Sequence, residues 1–113
     1  MAEYIHWNDF KKIEIRVGTV VEVNNFPEAI KPAYQLKIDL GSEIGIKKSS
    51  AQITDLYHKD DLLNKLVVAV INFPHKQIGP FMSECLVTGF HNQNGYVVLC
   101  VPDKEIPLGM KLL

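Results

Sequence analysis

The sequence predicts an all-β domain built on a small, closed antiparallel barrel. Apolar and polar residues alternate over several segments, a glycine interrupts the longest of them, and no strand–helix–strand repeat indicates a parallel sheet. A length of 113 residues fits one domain, which we expect to span residues 1–113. The barrel is predicted over about residues 13–101, with terminal extensions at 1–12 and 102–113.

The longest alternation begins near residue 13 and predicts the first strand. Its apolar positions include Ile13, Ile15, Val17 and Val21, with polar residues or glycine between several of them. Gly18 lies in the middle of the run, and a strand glycine typically marks a bulge, a bend or a close backbone approach. A long first strand that bends is what a small barrel requires.

Two further strands are expected after a loop. Residues 25–32 contain two prolines and predict that loop. Apolar and polar residues alternate from 34 to 40, and the chain then turns at Gly41 toward a second apolar segment at 44–46. These two segments predict an antiparallel hairpin.

The period changes to that of a helix between residues 51 and 64. Thr54 is one candidate N-cap, and either Asp60 or Asp61 is another. We therefore expect one or two short helical turns in this connection.

The second half of the chain contains three more apolar segments. The runs at 66–71 and 96–101 are continuous, which predicts strands covered on both sides, and residues 83–89 supply a strand between them. Turns are expected at 74–80 and 92–95. The complete order predicts a five-stranded antiparallel Greek-key barrel of the OB type, with short helical turns.

The overall charge limits the ways in which this chain can bind other molecules. Twelve basic and thirteen acidic side chains give a formal charge of -1, so any attraction to RNA or a membrane surface needs a local patch. The N-terminus does not resemble a signal peptide, and no apolar stretch approaches about 18 residues. We expect a cytoplasmic protein without membrane insertion.

Seven basic or polar residues form the candidate RNA-binding face, because an OB barrel can bring them to one side. Cations there would contact phosphates, and the polar groups would contact base edges. The set is Arg16, Lys47, Lys48, Asn72, His75, Lys76 and Ser83. Two alternatives remain open: Lys47 and Lys48 also suit solvated strand positions, and Arg16 equally suits an ion pair with Glu14 or Glu84.

Apolar residues around the predicted 74–80 turn form a candidate peptide-binding site. They are Phe73, Ile78, Phe81 and Met82. Phe73 and Phe81, together with Tyr57, are also the aromatic residues available for base stacking. The alternative is that Phe73 belongs to the core or caps its strand, and that the other three pack the barrel end or a dimer seam.

The terminal extensions carry more apolar side chains than one short barrel lid needs. These side chains are Trp7, Phe10, Ile106, Leu108 and Met110. We expect them to form a homodimer interface, with simple capping of the barrel as the alternative.

No catalytic, metal-binding or cofactor-binding residues are predicted. Cys85 and Cys100 lie in apolar segments without C-x-x-C spacing, and the four histidines show no common spacing. The sequence also lacks a G-x-S-x-G elbow and a glycine-rich phosphate loop. A binding protein is therefore expected rather than an enzyme.

Five short segments resemble those of the tRNA-binding OB-domain family. They are EIRVGT at 14–19, FPEA at 26–29, SSAQIT at 49–54, NFP at 72–74 and SECLV at 83–87. In particular, the chain resembles the CsaA-type export chaperones. The resemblance implies an OB barrel, a homodimer joined through the terminal extensions, tRNA binding, and binding of unfolded polypeptides or preproteins, with the export machinery as a further partner.

One loop departs from the pattern of the wider family. Where that family has Met-Arg-Gly, this chain has Ile78, Gly79 and Pro80, so one expected cation is missing from the RNA-binding face. The CsaA-type proteins also lack that arginine. We therefore expect a homodimeric chaperone that retains tRNA binding. The alternatives are a tRNA-binding module without chaperone activity and a structural adaptor that uses only its extensions.

Overall fold

The computed structural model describes residues 3–113 and is dominated by antiparallel β-structure. The elements in chain order are α1 (Trp7–Lys11), β1 (Ile15–Asn25), β2 (Tyr34–Asp39), β3 (Ile46–Ala51), α2 (Lys59–Leu62), β4 (Leu66–Val70), β5 (Lys76–Ile78), β6 (Phe81–Ser83), β7 (Leu86–Val87), β8 (Gly89–His91) and β9 (Val97–Leu99). Five strands form one sheet in the order β3-β2-β1-β4-β7. The remaining four strands form the hairpins β5–β6 and β8–β9.

Strand β1 is long enough to pair with two neighbours. Its first half pairs with β4 and its second half with β2, and the β2 register shifts between Val20 and Glu22. Such a shift bends a strand and increases its twist. Gly18 marks a close approach to β2, because a Cβ placed there would lie 2.5 Å from Cγ2 of Ile38. The irregularity therefore follows Gly18 by a few residues instead of coinciding with it.

The sheet closes into a nearly complete barrel where β3 meets residues 83–85. The carbonyl of Lys48 accepts hydrogen bonds from the amides of Glu84 at 2.7 Å and Cys85 at 3.2 Å. In return, the Lys48 amide donates to Oε1 of Glu84 at 2.9 Å, and the Ser50 amide donates to Oγ of Ser83 at 3.1 Å. Side chains thus complete the seam, and the OB-type barrel is confirmed.

Two apolar clusters fill the molecule. The barrel interior includes the fully buried side chains of Val20, Leu36, Ile38 and Val67. Leu62 of α2 belongs to the same cluster. A second, smaller cluster is formed by Phe26, Ala33 and Phe81, outside the main core. It joins the β1–β2 loop to the β5–β6 hairpin.

The C-terminal extension continues the β-structure along the first part of β1. The amide of Gly109 donates to the carbonyl of Val17 at 2.7 Å, and the amide of Leu112 donates to the carbonyl of Ile15 at 2.8 Å. In the opposite direction, the Val17 amide donates to the carbonyl of Met110 at 3.1 Å. The C-terminal residues therefore act as a short additional edge beside β1.

Three local predictions are wrong. Helix α2 starts after His58, whose amide donates to Oδ2 of Asp61 at 2.8 Å, so Asp60 and Asp61 both lie inside the helix and neither is its N-cap. Part of the predicted 74–80 turn forms strand β5. The run at 96–101 is not covered on both sides, because Val98 is 41% exposed.

The helices of residues 3–113 are short: α1 has five residues and α2 has four. Neither has the length and apolar character needed to cross a membrane.

Candidate nucleic-acid interface

Arg16 is held in an internal network. Its Nε and Nη2 donate to Oε1 of Glu14 at 3.2 and 2.6 Å, and its Nη1 donates to the carbonyl of Gly109 at 2.9 Å. Of the two ion pairs that the sequence left open, the structure shows the one with Glu14. The half-buried guanidinium thereby fastens the C-terminal extension to β1.

Lys111 binds the same carboxylate from the other side. Its Nζ donates to Oε2 of Glu14 at 2.9 Å and to the carbonyl of Lys11 at 3.2 Å. The hydrogen bond from Arg16, followed by that from Lys111, holds the pKa of Glu14 below its usual value. Glu14 is therefore the junction between both terminal extensions and β1.

Asn72 also has a structural position. Its Nδ2 donates to the carbonyl of Lys12 at 2.7 Å, and its Oδ1 accepts from the amide of Glu14 at 3.0 Å. Both ends of the side-chain amide are thus used by backbone groups between α1 and β1. Arg16 and Asn72 lie around this junction.

A groove of about 480 Å³ lies elsewhere, between the β1–β2 loop and the β5–β6 hairpin. It is lined by Glu28, Ala29, Ile30, Lys31, Ala33, Ser50, Gln52, Lys76, Gln77, Ile78 and Gly79. A concavity of about 180 Å³ adjoins it at Lys76, and another of about 230 Å³ adjoins it at Lys31 and Gln52. The largest hollow thus joins the two smaller ones into one extended surface, which we call the ligand groove. It lies at the β1–β2 loop and at residues 73–79 after β4, and OB folds use the connections after their first and fourth barrel strands for ligands.

The β5–β6 hairpin is positioned by a tight turn and by aromatic packing. Gly79 has φ +55° and precedes Pro80, which matches a type II′ turn because a type I′ turn would require positive φ at the proline as well. Phe81 is only 9% exposed and packs on Phe26, with 5.4 Å between ring centroids. Nζ of Lys48 lies 5.3 Å from the centroid of the Phe81 ring. Phe81 is therefore part of the support of the groove and is not exposed in a loop.

The structure divides the predicted RNA-binding set. Lys76 and Ser83 are paired across the β5–β6 hairpin, and the exposed His75 precedes Lys76. Nζ of Lys48 contacts the same hairpin at the ring of Phe81. Lys47 is half-buried on β3. Arg16 and Asn72 belong to the terminal junction and line none of the three hollows of the ligand groove.

The predicted peptide-binding set differs in exposure. Phe73 is 55% exposed, so it does not belong to the core, whereas Ile78 and Met82 are half-buried. Of the predicted dimer residues, Trp7, Ile106 and Met110 are exposed, and Phe10 and Leu108 are half-buried.

Sequence reasoning missed the β1–β2 loop as part of the site. Glu28, Ile30 and Lys31 line the groove, although the two prolines of this segment indicated only a connector. A lysine and an isoleucine side by side in such a loop were the available signal, since loops on a rigid scaffold commonly carry binding residues.

The cysteines and other potential metal ligands are dispersed. Burial raises the pKa of the Cys85 thiol to about 11, and its Sγ lies 3.7 Å from the carbonyl oxygen of Lys48. Across residues 3–113, no three histidine, cysteine or acidic side chains converge in a group that would hold a metal ion.

The barrel, the ligand groove and its lysines define an OB-fold binding domain. A family model described as "Putative tRNA binding domain" matches residues 15–111, and the chain belongs to this tRNA-binding domain family. The family describes a binding domain and not a catalytic one.

Two similar solved structures carry the name CsaA. The CsaA chaperone protein from Picrophilus torridus is 55% identical with a TM-score of 0.90, over 97% of this chain and 100% of that chain. Chaperone CsaA from Bacillus anthracis str. Ames is 44% identical with a TM-score of 0.91, over 98% and 100% of the two chains.

Curated relatives include much longer proteins. The methionine–tRNA ligase of Thermococcus onnurineus is 36% identical over 111 residues, which cover 98% of this chain and 15% of the ligase. That of Bacteroides fragilis is 32% identical over 108 residues, covering 96% and 16%. The chain thus spans about 15% of the length of these relatives.

Proposed function

We propose that this chain forms a homodimer in the cytoplasm that binds tRNA and also acts as a chaperone for unfolded or export-bound polypeptides. Membership of the tRNA-binding domain family supports the first activity. Similarity over the whole length of two CsaA chaperone structures supports the second. The observation that carries the proposal is the ligand groove, which combines exposed cations with apolar walls in one surface.

The cations suit RNA phosphates. Lys76 lies between the main groove and the concavity of about 180 Å³, Lys31 lies between the main groove and that of about 230 Å³, and His75 is exposed next to Lys76. Few phosphate contacts per protomer give a modest dependence of affinity on salt, because each neutralised phosphate releases less than one counterion. The affinity of this groove for RNA should therefore fall only modestly as the salt concentration rises.

The apolar walls suit a polypeptide. Ile30 is fully exposed, and Phe73 and Leu86 are 55% and 48% exposed around the groove. Exposed apolar side chains that cluster around a concavity mark interaction sites. The carboxylates of Glu28 and Glu84 balance the charges of the groove's two lysines. A near-neutral segment of unfolded chain therefore meets little net charge.

The terminal extensions suit a contact with a second copy. Trp7 is 64% exposed and Met110 53%, and the two segments that carry them are fastened together at Glu14 and Lys111. A homodimer would cover these side chains and place two ligand grooves on one particle, which raises avidity for a long RNA or polypeptide.

Aggregation of a chemically unfolded protein, followed by light scattering, tests the chaperone activity. We expect the wild-type chain to slow aggregation. Ile30→Ser should slow it less than the wild type does. Ile46→Ser is the matched control, because Ile46 is 58% exposed on β3 and does not line the groove. Equal aggregation with and without the wild-type chain would refute the chaperone activity.

A tRNA-binding module without chaperone activity is the second candidate. It is favoured by the methionine–tRNA ligases, in which the matching region is a small part of a synthetase. Retention of tRNA at low salt without any effect on aggregation would identify this function.

Sedimentation at micromolar concentration tests the homodimer, and the mass of one chain would refute it.

A further inference from the structure

Phe73 is more exposed than its apolar ring would suggest. Phenylalanine is usually buried, but this ring, three residues after the end of β4, is 55% exposed. It lines the concavity of about 180 Å³ together with Pro74, Lys76, Ser83, Glu84, Cys85 and Leu86. An aromatic ring and a cation thus share one small hollow.

The walls of this hollow are fixed. Asn72, the residue before Phe73, is hydrogen-bonded at both ends of its amide to the backbone of Lys12 and Glu14. On the other wall, Ser83 and Glu84 form the seam of the barrel with β3. Phe73 is therefore presented from a rigid support, which lowers the entropic cost of binding a flat ligand.

We propose that this hollow binds one unstacked RNA base, which stacks on Phe73 while the adjoining phosphate pairs with Lys76. The proposal rests on the proposed tRNA binding and assigns it a specific contact. Aromatic side chains beside cations are the usual means by which OB folds hold single-stranded nucleic acid.

Glu84 is fixed beside the hollow. Its Oε1 accepts from the amide of Lys48, and its own amide donates to the carbonyl of Lys48 at 2.7 Å. Because every base presents a ring face, stacking on Phe73 should not depend strongly on which base is bound.

Lys76 favours a nucleotide over an apolar peptide side chain. A leucine or phenylalanine from a polypeptide would contact Phe73 and Leu86, but it would bring no anion to Lys76. A nucleotide covers the ring with its base and places a phosphate beside the lysine.

The test uses the full chain and single-stranded oligonucleotides of adenine, cytosine or uracil, followed by fluorescence anisotropy. Phe73→Ala should raise Kd for oligo(A) about 5- to 140-fold, which is the 1–3 kcal/mol of one stacked base at about 1.4 kcal/mol per tenfold. Phe73→Trp should retain affinity because it keeps the stacking surface. Phe90→Ala is the matched control, since Phe90 is 70% exposed on the other hairpin, β8–β9, and should leave Kd unchanged.

A base analogue reports on the hollow directly. The fluorescence of a 2-aminopurine placed in the oligonucleotide should fall on binding to the wild type and Phe73→Trp, but not to Phe73→Ala. Thermal unfolding of each variant checks that the barrel is intact.

The outcomes separate this proposal from the one on which it rests. If oligonucleotides bind and Phe73→Ala behaves like Phe90→Ala, the base site is refuted and tRNA binding stands. If Phe73→Ala weakens only the capture of unfolded polypeptide, the hollow is a peptide subsite and the proposal is wrong. If neither tRNA nor oligonucleotides bind the wild type, both proposals fail.

Discussion

Phe26 and Phe81 pack ring against ring, with 5.4 Å between centroids and an interplanar angle of 56°. The first ring belongs to the β1–β2 loop and the second to strand β6, and Ala33 completes the cluster. The two walls of the ligand groove are thus joined by apolar packing outside the barrel core. The groove depends on this contact for its shape.

Truncation of Phe81 should destabilise the fold. Phe81→Ala removes a buried ring from a small cluster, so we expect a loss of about 3 to 5 kcal/mol in the free energy of unfolding. Urea denaturation measures it. Phe73→Ala is the control and should change stability by less than about 1 kcal/mol, because its ring is half exposed. Equal effects of the two variants would contradict the role given to the second cluster.

Gly18 should not tolerate a side chain. In Gly18→Ala, the new Cβ would lie 2.5 Å from Cγ2 of Ile38 and 3.0 Å from the carbonyl of Asp39, which forces β1 and β2 apart. We expect about 1 to 3 kcal/mol of destabilisation in thermal or urea unfolding. Gly45→Ala has nothing within 4 Å of its Cβ and carries only the strain of φ +85°. It should cost less, about 1 kcal/mol.

Acid should loosen the C-terminal extension before the barrel unfolds. The pKa of Glu14 is lower in the folded chain than its ordinary value of 4.5, so its stabilising contribution is present above that pH. It is lost as the pH falls through the folded pKa, because a protonated Glu14 no longer pairs with Arg16 and Lys111. Amide hydrogen exchange at Gly109 and Leu112 should accelerate relative to the core amides.

A variant separates this effect from general acid unfolding. Glu14→Gln should show the faster exchange at Gly109 and Leu112 already at neutral pH. Glu22→Gln is the matched control, since Glu22 pairs with Lys37 at 3.4 Å and holds no terminal segment. Unchanged exchange in Glu14→Gln would show that the backbone contacts alone retain the extension.

Alkaline conditions should destabilise the chain through Cys85. Burial raises the pKa of its thiol from 9.0 to about 11, so the unfolded chain loses this proton at lower pH than the folded chain does. Stability should therefore fall between about pH 9 and 11, and Cys85→Ala should reduce that dependence. In native protein at pH 8, Cys85 should react with thiol reagents more slowly than in the unfolded chain, because its raised pKa leaves less thiolate.

Lys76 and Arg16 should differ in their effects on tRNA binding. Lys76→Ala should weaken binding and lower the slope of affinity against salt by about 1, as expected for a phosphate contact. Lys59→Ala on α2 is the control for loss of one exposed charge. Arg16→Ala should chiefly reduce stability, because its donors are bound by Glu14 and Gly109. Filter binding at several salt concentrations, with unfolding curves for each variant, distinguishes these effects.

Local patterns predicted most of the strands and the turns at Gly41 and at 92–95. The alternation around Gly18 gives β1, and the turn at 92–95 follows from local chemistry, since Oδ1 of Asn92 accepts from the amides of Asn94 and Tyr96. The Glu14–Arg16 pair was among the alternatives because an arginine commonly forms a fork with a carboxylate.

Contacts between distant segments could not be read in the same way. The hairpin β5–β6 is placed by Phe26, which lies on another loop, so residues 74–80 alone indicated only a turn. For the same reason, Lys76 and Ile78 were candidate site residues while Lys31 and Gln52 on the facing wall were not. Helix α2 was misplaced at its start because His58 is an uncommon N-cap.

The junction at Glu14 also has an architectural consequence. Because Nζ of Lys111 reaches both Glu14 and the carbonyl of Lys11, the polypeptide enters and leaves the barrel at one place. A neighbouring module tethered to either end would start from that same corner. Engineered fusions and circular permutants of this barrel should therefore be tolerated with short linkers there.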